Sequence, residues 1–294
     1  MVKWHPRRFG PSDMLKVRTT IEFENFKAPS ASFIRRMLTP MRRYFAPELL
    51  GAEHVDPARP GLFVGNHAIF GVIDSPLFAS ELYSRTGVYP RSLGDHFHFD
   101  VPGWGDLLIR FGAVPGTREN CSRLMESGQH VLVFPGGARE VAKRRSEINR
   151  LTWKKRTGFA RMAIEHGYDI IPFASVGCDE SFTIVFDGDD FMASRAGRWL
   201  LKRPRLNNLL RNGDTFMPLV RGLGPTILPR PEPFWFMIGK PISTTEYAGR
   251  ADDPEALWEL REKTAASIEG MIADLEMRRA AQPLSSWRRR LLGR

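Results

Sequence analysis

Apolar positions along the chain fall into short dense runs separated by turn-forming residues. Gly61-Leu62-Phe63-Val64-Gly65, His130 to Phe134, Asp169 to Ala174, Ser181 to Phe186 and Phe234 to Ile238 read as strands. Helical stretches lie between them: Ser75 to Tyr83 with Pro76 in a first turn, residues 105–111, Asn120 to Ser127, and Arg156 to His166 with Gly167 as C-cap. The last helix carries the clearest signature. Asp252 or Asp253 caps it, Pro254 sits just inside, and Leu257, Leu260, Ile268, Met271, Ile272 and Leu275 form one apolar face. Strands alternating with helices predict an α/β fold with a mainly parallel central sheet flanked by helices.

The flanks depart from this rhythm. Residues 1–30 mix polar and aromatic groups and read as a loosely packed arm. Over 31–50, Phe33, Met37, Met41 and Leu49 alternate with Arg35, Arg36, Arg42 and Arg43, which predicts an amphipathic helix interrupted at Pro40. Such a helix can lie on a bilayer or cover its own domain. Residues 187–232, rich in Gly, Pro and Arg, read as an excursion over the surface. The expected organisation is an N-terminal arm and helix (1–50), a main domain (51–250), and a C-terminal helix with a basic tail (251–294).

Charge adds a constraint. The 294 residues carry a formal net charge of +10, mostly from arginine at 35–43, 139–161, 195–211 and 288–294. That balance favours a polyanionic partner: nucleic acid, an anionic membrane surface or a phosphorylated cofactor. No RNP aromatic block or zinc-finger spacing accompanies it, so nucleic acid is not expected. Cys121 and Cys178 stand far apart, which fits a reducing compartment and gives no disulfide framework. The N-terminus lacks a signal-peptide core, and no run approaches the ~18 apolar residues of a membrane span. The expectation is a cytoplasmic protein, peripheral on the membrane.

Candidate chemistry gathers where two strands end. Gly65-Asn66-His67 follows one, with Asp74 seven residues after the histidine. Phe134-Pro135-Gly136-Gly137-Ala138-Arg139-Glu140 follows another. In open α/β sheets that edge is where ligands bind. A histidine near a carboxylate can take a proton from a hydroxyl near neutral pH, and glycines let backbone approach a substrate closely. On a straight helix seven residues advance ~10.5 Å, too far for side chains to touch. A direct His67–Asp74 pair requires His67 in the turn before the helix, with the chain looping back near Gly71. Otherwise His67 is a loop histidine and Asp74 an N-cap for the helix beginning at Ser75. Spacing alone leaves both open.

Asp95-His96-Phe97-His98-Phe99-Asp100 resembles metal-ligand spacing, but alternating His and Phe also reads as a half-buried strand or turn. No third cluster completes a site, and no metal is expected. Glu119 and Glu140 can support the site or form surface ion pairs. From Arg139 to Arg156 runs the densest basic segment, able to hold phosphates or lipid headgroups. A solvated helix is the plainer reading for most of it, with Arg139 the exception because it lies in the motif.

Taken together, Gly65-Asn66-His67…Asp74, Phe134 to Glu140, and Ile171-Pro172-Phe173 resemble the glycerolipid acyltransferase superfamily in order and spacing. In that family a His-x4-Asp pair after a strand is the catalytic motif, a Phe-Pro-Glu-Gly-Thr-Arg block follows, and a strand ending in proline comes later. The Pro-Gly-Gly-x-Arg-Glu variant, with Gly112-Ala113-Val114-Pro115-Gly116-Thr117-Arg118-Glu119-Asn120 upstream, resembles the diacylglycerol and monoacylglycerol acyltransferase branch. The likeness spans residues 55–245. Here six residues separate His67 from Asp74 rather than four. Gly136 stands where the commoner block has glutamate, Arg139 matches its arginine, and Glu140 is additional.

The resemblance implies transfer of an acyl group from acyl-coenzyme A, a co-substrate rather than a bound cofactor, to a lipid hydroxyl. The altered block favours a neutral alcohol over glycerol phosphate or lysophosphatidate. His67 would be the general base and Asp74 would hold its tautomer. Gly136 and Gly137 N–H groups would meet the oxyanion, and Arg139, Glu140 and Arg118 would contact substrate. A thioester needs no acyl-enzyme, and the chain has no Gly-x-Ser-x-Gly elbow. The alternatives are a phosphate-bearing acceptor and a non-catalytic, lipid-binding relative.

Overall fold

Gly61–Gly65 (β2) is buried at all five positions, the mark of a strand covered on both faces. The computed structural model, which describes residues 26–210 and 213–292, places it at the centre of a sheet. Its other strands are β1 (Glu48–Leu50), β3 (Arg91–Gly94), β4 (Val114–Pro115), β5 (Val131–Val133), β6 (Asp169–Val176) and β9 (Trp235–Ile238). The order is β1-β9-β6-β2-β5-β3-β4. β2 runs parallel to β5 and β6, with Leu62 opposite Val131 and Gly65 opposite Phe173. β9 is antiparallel to β6 and parallel to β1. The expected mixed α/β sheet, mostly parallel, is therefore present.

Alternation along β2 sends Leu62 and Val64 to one layer and Phe63 to the other. On the first face pack the helices Arg118–Glu126, Gly158–His166 and Pro254–Ala281, around a fully buried Trp153. On the second pack Thr39–Phe45 and Asp74–Thr86, with Phe78 stacked on Phe173. Asp253 caps the long C-terminal helix through the N–H groups of Glu255 and Ala256. All six residues of its expected apolar face are buried.

Several elements differ from expectation. Residues 31–50 form two helices, Ala31–Met37 and Thr39–Phe45, and then β1. Pro40 belongs to the first turn of the second helix, where a missing N–H costs nothing. Ile34, Leu38 and Phe45 face inward, while Phe33 and Met37 are exposed. Thr183–Phe186 (β7) does not join the main sheet. It pairs antiparallel with Leu219–Arg221 (β8) in a separate two-stranded ribbon. Its alternating exposure explains this, since a central strand would need both faces apolar. The excursion itself holds three helices, Gly188–Ala193, Arg195–Leu201 and Pro204–Leu210. His96–Asp100 is a short helix capped by Asp95, whose carboxylate accepts from Phe97 N–H at 3.1 Å. Most of the expected N-terminal arm lies outside the described residues.

Candidate active site

Where β2 ends, Gly65 leaves room for the Phe173 ring, which would lie 2.4 Å from any Cβ there. The buried Asn66 side chain then clamps β6: its Nδ2 donates to Ser175 O and its Oδ1 accepts from Ser175 N, both at 2.8 Å. This clamp fixes the point at which His67 leaves the sheet.

From His67 the chain folds back instead of entering a helix. Phe70 and Gly71 both have φ of +64°, and Gly71 N–H donates to Ala68 O at 3.0 Å. The helix then starts at Asp74. His67 Nδ1 consequently lies 2.8 Å from Asp74 Oδ2, which also accepts from Ala68 N–H at 2.9 Å. The choice left open by spacing falls to the direct pair. Burial drives the Asp74 carboxyl upward, but His67 and the N–H groups of Ala68 and Ser75 together outweigh it, and its pKa ends below the ordinary value. An ionised Asp74 favours the Nδ1–H tautomer, which leaves the lone pair on Nε2, the nitrogen that Gly71 borders. The ring lies flat on Phe134, with centroids 3.7 Å apart and planes 5° apart.

The second motif follows β5, beside β2. Gly137 N–H donates to Phe134 O at 3.0 Å, so this donor is committed to the turn and is not offered to an oxyanion. Arg156 Nη1 donates to Pro135 O at 2.7 Å and also to Gly136 O. At Gly136 a Cβ would lie 2.3 Å from Glu140 Oε2, so only glycine lets the helix Gly137–Val141 tuck Glu140 beneath the turn.

Two expected substrate contacts are corrected here. Arg139 is buried and its guanidinium is engaged by Ala142 O, Glu147 and, at 3.7 Å, Asp214. It braces the loop after its helix, with its guanidinium turned to these partners. Glu140 is fully buried behind the motif, so it is neither a surface ion-pair partner nor a direct substrate contact. Arg118 is exposed at the start of its helix, just after β4. It shares the sheet edge with His67, but β4 lies three strands from β2, about 14 Å away.

Lys143 and Asp179 went unrecognised in the sequence. Lys143, read as part of a solvated basic run, is fully buried with Nζ 3.0 Å from Asp179 Oδ2. Asp179 in turn accepts from Ile69 N–H at 2.8 Å and Asn149 N–H at 3.0 Å. Glu140, Lys143 and Asp179 thus form a charged floor under the His67 turn. Burial pushes the Glu140 carboxyl up to about 7, against the opposing pull of Lys143, His67 and the His67 N–H. Burial alone would lower Lys143, but Asp179 and Glu140 raise it. The only signal in the sequence was the i, i+3 spacing of Glu140 and Lys143, which also occurs on solvated helices.

Elsewhere, His98 Nδ1 accepts from Trp104 Nε1–H at 3.3 Å. Among the described residues no group of three or more His, Cys, Asp or Glu is placed to hold a metal ion.

Comparison with known proteins agrees with this geometry. Residues 47–176 match the family described as Acyltransferase, a span that includes both motifs and the Ile171-Pro172-Phe173 strand. Phytyl ester synthase 1 (chloroplastic) of Arabidopsis thaliana is 31% identical over 80% of this chain and 35% of its own length. The human DGAT1/2-independent enzyme synthesizing storage lipids is 32% identical over 54% of this chain and 46% of its own. Diacylglycerol O-acyltransferase 2B of Umbelopsis ramanniana is 25% identical over 72% and 61%. The chain thus spans about a third of the length of the phytyl ester synthases it matches. Among solved structures, the 1-acyl-sn-glycerophosphate acyltransferase PlsC of Thermotoga maritima superposes with a TM-score of 0.47 and 14% identity, over 93% of this chain and 90% of that one. Motifs, site geometry and relatives converge, and residues 47–176, which carry both motifs, belong to the acyltransferase family shared with these glycerolipid enzymes.

Proposed function

We propose that this protein transfers a fatty acyl group from acyl-coenzyme A to the hydroxyl of a neutral lipid alcohol. The observation that carries the reading is the 2.8 Å contact between His67 Nδ1 and Asp74 Oδ2 at the edge of the sheet. His67 Nε2 takes the hydroxyl proton as the acceptor oxygen bonds to the thioester carbonyl carbon. Asp74 stabilises the imidazolium that forms. The C–S bond then breaks, and the departing coenzyme A thiolate takes the proton back from Nε2. Gly136 N–H, at the same strand edge, would polarise the carbonyl.

The engagement of Arg139 by its own loop supports a neutral acceptor, because the motif's cation is not presented to a phosphate. By their names, two of the relatives act on such acceptors, making phytyl esters and acylating diacylglycerol. The arginine-rich surface supports action at an anionic membrane surface. Among the described residues no helix is long and apolar enough to cross a membrane.

The test is coenzyme A release by wild type and His67→Ala protein, given acyl-coenzyme A with diacylglycerol, monoacylglycerol, phytol or lysophosphatidate. Release by wild type on a neutral alcohol, lost in the variant, is expected. Equal release by both proteins would remove His67 as the base, and preference for lysophosphatidate would overturn the acceptor class.

A further inference from the structure

We propose that the β7–β8 ribbon, with the turn that follows it, is the part of this protein that enters the surface of an anionic bilayer. The idea rests on the lipid-acyltransferase reading for its purpose, and on the ribbon's own two faces for its evidence. Inward, Ile184 packs with Ile69 and Phe182, while Phe70, Ile73 and Val220 complete the cluster. Ile69, Phe70 and Ile73 belong to the turn between His67 and Asp74, so the ribbon backs directly onto the loop that presents the base.

Outward, the ribbon is unusually apolar. Val185 is 57% exposed, Leu219 61%, Ile227 76% and Leu228 60%. The last two sit in a turn exposed at every residue from Gly224 to Leu228. That turn is held, not frayed. Gly222 N–H donates to Thr226 O and Leu223 N–H to Leu228 O, both at 2.7 Å. A Cβ at Gly222 would fall 1.7 Å from Leu228 O, so glycine is required for this closure. Aliphatic side chains fixed in water at a tip indicate a surface meant to be covered.

Charge selects the covering. Residues 187–230 hold eight Arg and Lys against four Asp. All four carboxylates are taken up by Arg144, Arg145 or Lys154 from outside the segment. Arg195, Arg198, Lys202 and Arg221 are exposed, and Arg203 stacks 4.1 Å over the Trp199 ring. Exposed aliphatic groups on the ribbon and its turn, together with exposed arginine and tryptophan in the same segment, match the interface of an anionic leaflet.

Flotation with vesicles of phosphatidylcholine, alone or mixed with phosphatidylglycerol, tests this. Wild type should float with the anionic vesicles and progressively less as salt rises. Leu219→Asp and the pair Ile227→Asp/Leu228→Asp should lower the partition coefficient by about tenfold or more. Phe97→Asp, at another exposed aromatic on the sheet edge, should float like wild type. Ile227→Trp, which keeps the surface apolar, should show blue-shifted fluorescence quenched by brominated phosphatidylglycerol. Ribbon variants that float like wild type, loss of flotation only in Phe97→Asp, an unquenched Trp at 227, or wild type that stays unbound would each overturn the proposal. So would light scattering that shows an oligomer dissolved by the ribbon variants. Flotation needs no turnover, so protein that floats by this ribbon yet releases no coenzyme A would remove the catalytic reading and leave the docking surface standing.

Discussion

Gly71 lies so close to His67 that a Cβ at position 71 would sit 2.3 Å from Nε2 and 2.6 Å from Cε1. The turn therefore does two things at once. It carries the chain back so that Asp74 meets Nδ1, and it leaves space beside the nitrogen assigned as the base. Its φ of +64° is a second reason for glycine, since an L side chain there costs about 1 kcal/mol.

Gly71→Ala should accordingly reduce kcat far more than stability. Displacing Nε2 by even an ångström costs about a hundredfold in rate. A thermal melt within a few degrees of wild type, alongside coenzyme A release reduced about that much, is the expected result. Unchanged kcat would mean that the space beside Nε2 is not where the acceptor hydroxyl arrives.

Asp74→Asn should keep the geometry but lose the charge. The substituted amide can present its N–H to Nδ1 and favour the wrong tautomer, so kcat should fall by about 10²–10⁴. A pH effect accompanies this loss. Asp74 has its folded pKa depressed below the ordinary 3.8, so its contribution to stability is complete above that value and is lost as pH falls through the folded one. Wild type should therefore show an acid-side loss of melting temperature below about pH 4 that is reduced in the amide variant. Melts across that range measure the difference.

Arg139→Ala should behave as a structural lesion. Removing the guanidinium takes the main partner from Glu147, leaves Asp214 to Arg144 and Lys154, and costs about 1.5–3 kcal/mol. The acceptor KM should stay near that of wild type in the fraction that folds. A selective rise in KM for a phosphate-bearing acceptor would instead show Arg139 reaching substrate.

The elements buried on both faces were legible in the sequence because their signal is local. β2 and β5 are unbroken apolar runs, β6 is apolar apart from Asp169 and Ser175, and an aspartate before Pro254 marks the start of the last helix. β3 and β4 were not legible, since β4 has only two residues and β3 carries Leu93 as its one apolar side chain. Arg91 disguises β3 further: it is buried with its Nε donating to Gly112 O at 2.6 Å and its Nη1 to Gln129 Oε1 at 3.0 Å. β7 was found as a strand, but its place outside the main sheet was not legible, because alternation reports a wet face without naming the strand's neighbour. The His67–Asp74 pair could not be decided from spacing, because a reversal at Phe70 and Gly71 replaces a straight helix. Lys143 and Asp179 were hidden for a different reason. A charged residue reads as surface until its partner is known, and these two lie 36 positions apart.

That hidden pair supports the most demanding prediction. Lys143 Nζ lies 3.0 Å from Asp179 Oδ2 and interacts with the buried Glu140 carboxyl as well, so Lys143→Met should leave two buried acids facing each other. The loss should be about 3–5 kcal/mol near neutral pH, and it should be partly restored by adding Glu140→Gln. Glu140 sets the pH dependence. Its folded pKa is raised to about 7 from an ordinary 4.5, so the folded state binds the extra proton. The stability it contributes is therefore present below 4.5 and lost as pH rises to about 7. Glu140→Gln should gain on wild type across that window, and the gap should then level off. Lys143 has the same sign at higher pH: its raised pKa contributes stability below the ordinary 10.5 that disappears only as pH climbs through the folded value. Because Asp179 also holds Ile69 N–H, Lys143→Met should lower kcat through the His67 turn with the acyl-coenzyme A KM little changed. A variant as stable as wild type at neutral pH would show that water, not Lys143, satisfies the two acids.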